Sequence, residues 1–249
     1  MIDFKTDNFQ PGLSVDCVIF GFHDNELKVL LLKLKNLDFW ALPGGFVDKD
    51  KDVDTEANRV LEKRTGLTNI FLQQFFLFGK VGRASTDHLD SLEKKGIISS
   101  ENASWFNQRF ITVGYYALVE YSKVKQLTAD EISERCEWCA INELPELMHD
   151  HREILKKAHD TLKKELNYQP IGINLLPREF TMPELQTLYE TILEKPLDRR
   201  NFRRKMLSYD ILIKTERRRT GVAHKAPILY QFDVEKYQKA IKGGLSQSW

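Results

Sequence analysis

Residues 44–67 read GGFVDKDKDVDTEANRVLEKRTGL. Pro43-Gly44-Gly45 predicts a turn, an acid-rich loop comes next, and Val53, Ala57, Val60 and Leu61 then recur at helical spacing. That periodicity predicts a helix packed by one face, with Gly66 as its stop. On the helical wheel Val60, Lys63 and Arg64 share one face, and only Glu56 brings a carboxylate to it.

Toward the N-terminus, Val15–Phe22 and Leu27–Leu34 are apolar runs joined by the turn-rich His23–Glu26, so both predict strands. Asp16 stands inside the first run, either as a strand-end carboxylate facing solvent or as a polar anchor in a pocket. Trp40, just before the glycines, either walls a cleft or packs. Toward the C-terminus, Ile70–Lys80 and Phe110–Tyr121 are rich in aromatic and β-branched residues and predict two more strands. The polar 81–109 between them is long for a connection inside a compact domain, which marks a lid or a partner-binding excursion. Trp105 and Phe106 are its best anchors. Trp138–Pro145 predicts a last strand and turn, and Leu147–Leu166 a long amphipathic helix that ends before Pro170.

Composition bounds the class. With 249 residues, 42% hydrophobic and 29% charged, the chain suits two globular domains, placed at 1–167 and 168–249. No apolar run approaches membrane-spanning length and the N-terminus has no signal-peptide core, so no membrane contact and a cytoplasmic location are expected. The three cysteines do not suggest a disulfide framework. Cys136 and Cys139 form a lone CxxC, which reads as semi-buried strand residues around Trp138 in preference to a redox pair or half a zinc site. The net charge of +1 hides a division: 170–249 carries 15 Lys+Arg against 9 Asp+Glu, leaving 22 against 27 in 1–169. A basic half of this kind points to nucleic acid.

That half has its own pattern. Thr181-Met-Pro-Glu184 is a capping box opening a helix with Leu185, Leu188, Tyr189 and Ile192 on one side. Asp198 caps the next helix, in which Arg199, Arg200, Arg203 and Arg204 fall within an arc of roughly 140°. Phe202, Met206 and Tyr209 lie opposite. Ile211–Lys214, the basic loop Thr215–Pro227 and Ile228–Phe232 then read as strand, loop and strand. Helix, turn, basic helix and basic hairpin is the order of a winged helix-turn-helix. The DNA-binding residues expected are Arg199, Arg200, Arg203 and Arg204, with Arg217, Arg218, Arg219 and Lys225 on the hairpin.

The two glycines, the loop, the helix carrying Arg59 and the terminal Gly66-Leu67 resemble the Nudix box. In that family, helix glutamates hold divalent metal at a pyrophosphate. Gly45, Arg59, Gly66 and Leu67 match, whereas the glutamate positions hold Lys51, Val60, Lys63 and Arg64. The resemblance implies an α+β protein, a Nudix-like α/β/α sandwich with a mixed sheet, whose catalytic chemistry is lost. No catalytic residue, metal or cofactor is expected. With the winged helix added, nearly the whole chain resembles the Nudix-related transcriptional regulators, including Pro170–Pro177 and Asp198–Phe202. That family includes repressors of NAD metabolism and sugar-utilisation regulators, and the chain looks closer to the sugar-responsive branch.

The resemblance implies a homodimer that binds a duplex DNA operator and a small effector, a sugar or sugar derivative, in the former catalytic cleft. The effector-binding residues expected are Trp40, Phe46, Lys63, Arg64, Arg109 and Asp16. For Arg109 the alternative is a salt bridge to Asp16 or Glu56. A second reading is an active Nudix hydrolase of a nucleoside diphosphate compound such as ADP-ribose, with a basic accessory domain. The missing glutamates speak against it.

Overall fold

A computed structural model describes residues 6–68, 70–84, 86–124, 127–129, 132–166, 170–218 and 227–243. The chain divides into two compact units, one of residues 1–21, 28–119 and 123–158, the other of 22–27, 120–122 and 159–249.

The first unit is built on a seven-stranded mixed sheet around β1 (Phe9–His23). Val15 and Cys17 to Phe20 are wholly buried, which is why this strand reads as a continuous apolar run and not as an alternation. β1 pairs in parallel with β6 (Ile111–Val119), and β6 pairs antiparallel with the edge strand β5 (Phe71–Phe78). On the other side, β2 (Glu26–Leu34) pairs with β3 (Trp40–Ala41) and β7 (Ser133–Ala140).

Gly44–Asp48, read from sequence as turn and loop, instead forms strand β4 against β1. Gly44 sits opposite Asp16, and a Cβ there would lie 2.5 Å from Asp16 Oδ1 and 2.8 Å from the Val15 carbonyl oxygen. Only glycine lets the two backbones come this close.

Helix α1 (Val53–Thr65) comes next, stopping at Gly66 as the sequence predicts. The Thr55 N–H donates to Asp52 Oδ1 at 2.7 Å, and Gly66, at φ +68°, donates its N–H to the Glu62 carbonyl. Ala57, Val60 and Leu61 enter the core with Val15, Cys17 and Val113.

The 81–109 segment contains two helices, α2 (Thr86–Lys94) and α3 (Ser100–Phe106), and its Leu92, Ile97 and Ile98 join the same core. It is part of the domain wall. Helix α4 (His151–Glu165) starts later than the sequence pattern suggests, because Leu147 forms a backbone bridge with Trp40.

The longest segment of the second unit starts inside α4, at His159. The His159 ring meets the Ile192 carbonyl at 3.1 Å, and Lys163 pairs with Glu194, so the last turns of α4 pack with residues 192–194. The remaining elements are β8 (Phe180–Thr181), α5 (Met182–Leu193), α6 (Arg199–Ser208), β9 (Leu212–Arg218), β10 (Ile228–Phe232) and α7 (Val234–Gly243). The strands form an antiparallel sheet in the order β8-β10-β9. This is a winged helix-turn-helix. Its closing helix α7 has no counterpart in the sequence reading. Tyr237 anchors it, stacked edge-on against Phe232 and donating to the Pro170 carbonyl at 2.5 Å.

Cys136 is buried and Cys139 half-buried on β7. Three residues apart on a strand, they face opposite sides of the sheet, so the CxxC cannot close on a metal or on itself.

Candidate functional site

A cavity of about 370 Å³ lies in the first unit among α1, β4, the starts of β1 and β6, residues 83–92 and the turn before α4. This is the size of a small-molecule site. One wall is aromatic. Phe46 of β4 is edge-on to Trp105 at 4.5 Å and within 5.5 Å of Phe106 and 5.2 Å of Phe110. The sequence anchors Trp105 and Phe106 thus both pack at this wall, and Phe106 lines the cavity itself.

The opposite side is polar and tightly organised. Asp16, only 8% exposed, is a pocket anchor and not a solvent-facing carboxylate. Arg83 lies 3.6 Å from it and clamps Asp150 with two bonds, Nε to Oδ2 at 2.9 Å and Nη2 to Oδ1 at 2.7 Å. Arg83 Nη1 also donates to the Thr112 hydroxyl at 3.0 Å, and Thr112 meets Ser14 on the neighbouring strand. The Leu42 N–H donates to His151 Nδ1 at 2.9 Å. His151 therefore carries its hydrogen on Nε2, which faces Asp16 Oδ1 at 3.7 Å.

Burial pushes the Asp16 carboxyl up to about 6, with Arg83 and the Thr112 hydroxyl pulling the other way. Burial pushes His151 down to about 4 and His149 to about 3, with the Arg83 charge adding to both.

Of the residues expected to bind an effector, Asp16, Phe46, Lys63 and Arg64 line the cavity. Trp40 does not. It lies on β3 with Lys33 and Arg135 against its ring at 5.9 and 5.6 Å, a packing role. Arg109 does not either, and it pairs with neither Asp16 nor Glu56. It precedes β6 on the exposed side and donates to the Gly79 carbonyl. Arg64 is 3% exposed, its Nη1 donating to the Thr128 carbonyl at 3.1 Å.

Arg83, Thr112, His149 and His151 belong to the site and escaped the sequence reading. The one available signal was the polar run His149-Asp150-His151-Arg152 opening a helix; Arg83 stands alone in a loop with no periodicity to mark it.

As to a metal, no three of His, Cys, Asp and Glu among the described residues come together in a way that could hold an ion. Glu56 is fully buried on α1, but Arg59 donates to its Oε1 from Nε at 2.8 Å and from Nη2, so one of its two oxygens is already engaged by a cation.

In the second unit, α6 presents Arg199, Arg200, Arg203 and Arg204 to solvent, while Phe202 and Met206 are buried and Phe202 lies against Tyr189 at 5.4 Å. The Asn201 N–H donates to Asp198 Oδ1 at 2.8 Å, closing the cap that the sequence predicts. Arg204 is steadied by Asn201 at 2.9 Å. Arg217 and Arg218 lie on β9, which extends past Lys214 and is not loop there. Arg217 reaches Glu179 at 3.3 Å. Arg219 and Lys225 lie outside the described residues, as does the side chain of Arg218.

Comparison with known proteins matches residues 10–158 to the NUDIX domain and 172–232 to the NrtR DNA-binding winged helix domain. The chain is 31% identical over 241 residues to the ADPR responsive transcriptional repressor NtrR of Acinetobacter baylyi, spanning 94% of this chain and 86% of that protein. It is 26% identical over 150 residues to the ADP-ribose pyrophosphatase of Methanocaldococcus jannaschii, spanning 59% of this chain and 72% of that one. Among solved structures, Shewanella oneidensis NrtR complexed with a 27mer DNA superposes with a TM-score of 0.74 at 26% identity, covering 95% of this chain and 99% of that one.

Proposed function

Because the chain belongs to the NrtR-type family of transcriptional repressors, a Nudix domain followed by an NrtR winged helix, we propose that ADP-ribose in the Nudix cavity governs its binding to a duplex operator. The observation that carries the effector is the cavity's charge. Among the described residues, Arg59, Lys63, Arg64 and Arg83 line it against the single carboxylate of Asp16. Beside these cations stands an aromatic wall, so one side suits a diphosphate and the other a base or a sugar ring. The repressor matched over nearly the whole length is named for its response to ADPR, which redirects the expectation of a sugar-responsive branch to a nucleotide sugar.

The winged helix holds DNA through the exposed arginine face of α6. Regulation requires that the ligand bind operator-competent and operator-incompetent forms with different affinity, since equal affinity shifts nothing. Fluorescence anisotropy of a labelled operator, titrated with ADP-ribose, tests the reading. ADP-ribose should change operator affinity at least tenfold, and glucose or ribose should not.

The likeness to an ADP-ribose pyrophosphatase raises hydrolysis as the second reading. Lys51, Val60, Lys63 and Arg64 argue against it, because no carboxylate cluster remains to place a metal and activate water. The chain is proposed to bind ADP-ribose without cleaving it. Sustained Mg²⁺-stimulated release of AMP from ADP-ribose would refute this.

A homodimer is proposed as well. Its support is the edge strand β5, where Phe76 and Leu77 are 45% and 53% exposed beside the exposed Val81 and Ile111. No helix among the described residues is long and apolar enough to cross a membrane.

A further inference from the structure

The Nudix fold implies a divalent ion between helix α1 and the diphosphate of a ligand, and this chain's residues do not fit one. The strongest point in favour of an ion is Glu56 Oε2, a buried oxygen with no hydrogen-bond partner among the described residues. Its sister oxygen is held by Arg59, however, and Glu56 itself does not line the cavity. One turn further along the same stripe the cavity wall is Val60, an alkyl group, and then Lys63, a cation. A metal at this face would meet one half-neutralised carboxylate and two or three positive charges. That is the reverse of the oxygen-rich set a hard cation needs.

The same arrangement suits an anion. The other cationic groups in the wall are already engaged: Arg83 by Asp150, Arg59 by Glu56, and Arg64 by the Thr128 carbonyl. Lys63 differs. It is exposed, it lines the cavity, and it makes no hydrogen bond or ion pair among the described residues. An ammonium group with three donors and no acceptor stands where the fold would otherwise require a carboxylate to carry the metal. Gly45 of β4 lines the same cavity, packed so closely on α1 that a Cβ would meet Val60 at 3.2 Å, Glu56 Oε1 at 3.3 Å and Arg59 Nη2 at 3.4 Å.

We propose that Lys63, with Arg59 and Arg64 beside it, takes the diphosphate of the effector directly, so that the side-chain ammonium replaces the divalent ion and binding needs no metal. This rests on the reading of the cavity as an ADP-ribose site. It predicts three properties of the binding equilibrium. Affinity is indifferent to Mg²⁺, it falls with ionic strength as a charge-charge contact does, and it depends on Lys63 only for ligands that carry phosphate.

Titration calorimetry of the full-length protein tests this with ADP-ribose and with adenosine, each in EDTA and in millimolar Mg²⁺. The proteins are the wild type, Lys63→Met and Lys63→Glu. Lys63 is exposed, so both variants should keep the wild-type unfolding temperature, which is checked first. The expected result is an ADP-ribose Kd that agrees within twofold between EDTA and Mg²⁺. It should weaken at least tenfold in Lys63→Met and further in Lys63→Glu, while adenosine binding should change less than twofold in either. A Kd tightened tenfold or more by Mg²⁺ in the wild type, or one unchanged in Lys63→Met, overturns the proposal while leaving the cavity an ADP-ribose site. Absence of ADP-ribose binding in both buffers overturns that reading and this proposal with it.

Discussion

At the scale of single residues, the cavity concentrates groups that titrate away from their usual range, and their signs differ. Asp16 holds its proton to about pH 6 in the folded chain and releases it near its ordinary value when unfolded. Between those values the folded state binds more protons, so this group alone makes stability fall as pH rises. His149 and His151 are the opposite case. Their folded values are depressed below 6.5, so the unfolded state binds more protons and stability rises with pH up to the ordinary histidine range. Two histidines against one carboxyl give a net rise between about pH 4 and 6.5. Asp16→Asn should steepen that rise in urea unfolding measured across this pH range, and a flatter slope would show that Asp16 is not held neutral. Gly44 gives a second prediction. A methyl group added at 44 meets Asp16 Oδ1 and the Val15 carbonyl, so Gly44→Ala should cost about 1–3 kcal/mol in the same assay, as overpacking does.

At the scale of elements, the parts that local chemistry specifies were legible. Helix α1 announces its stop at Gly66, α5 its capping box and α6 its cap at Asp198, because each signal lies within a few residues of what it controls. The apolar runs of β1 and β2 were equally plain. Strand β4 was not, since a Gly-Gly pair is read as a turn unless one knows that Asp16 and Val15 leave no room for a side chain. Helices α2 and α3 are short and polar and owe their stability to Leu92, Ile97 and Ile98 meeting a distant core. The clamp Arg83–Asp150 joins residues 67 apart, and no periodicity announces such a pair. For α6 the prediction is direct. An arginine that reads a base should, on change to alanine, cost about 1–3 kcal/mol and relax specificity; one on phosphate should weaken all sequences and lower the salt slope by about 1. Arg199, Arg200, Arg203 and Arg204 can be sorted this way by operator titration at several salt concentrations. Asp198→Ala, which removes the helix cap, should cost about 1 kcal/mol of stability in urea unfolding of the full chain.

At the scale of the whole molecule, the proposed dimer turns on the exposed edge of β5. Phe76→Lys combined with Leu77→Lys should leave the fold intact and shift sedimentation from dimer to monomer. Operator affinity should fall with it, because two linked winged helices engage two half-sites and one engages only half of them. An unchanged dimer would place the interface elsewhere. The parallel pairing of β1 with β6 has a consequence for how the protein is made. Ser14 waits for Thr112, which is 98 residues later, and β2 cannot be covered until β7 has emerged. At a synthesis rate of about 5–20 residues per second, the apolar β1–β2 hairpin spends on the order of ten seconds outside the ribosome without β6 and β7. A nascent chain that exposes such a hairpin for that long should engage chaperones. Its yield in a cell should therefore respond to translation speed and to chaperone supply more strongly than the stability of the finished fold would suggest.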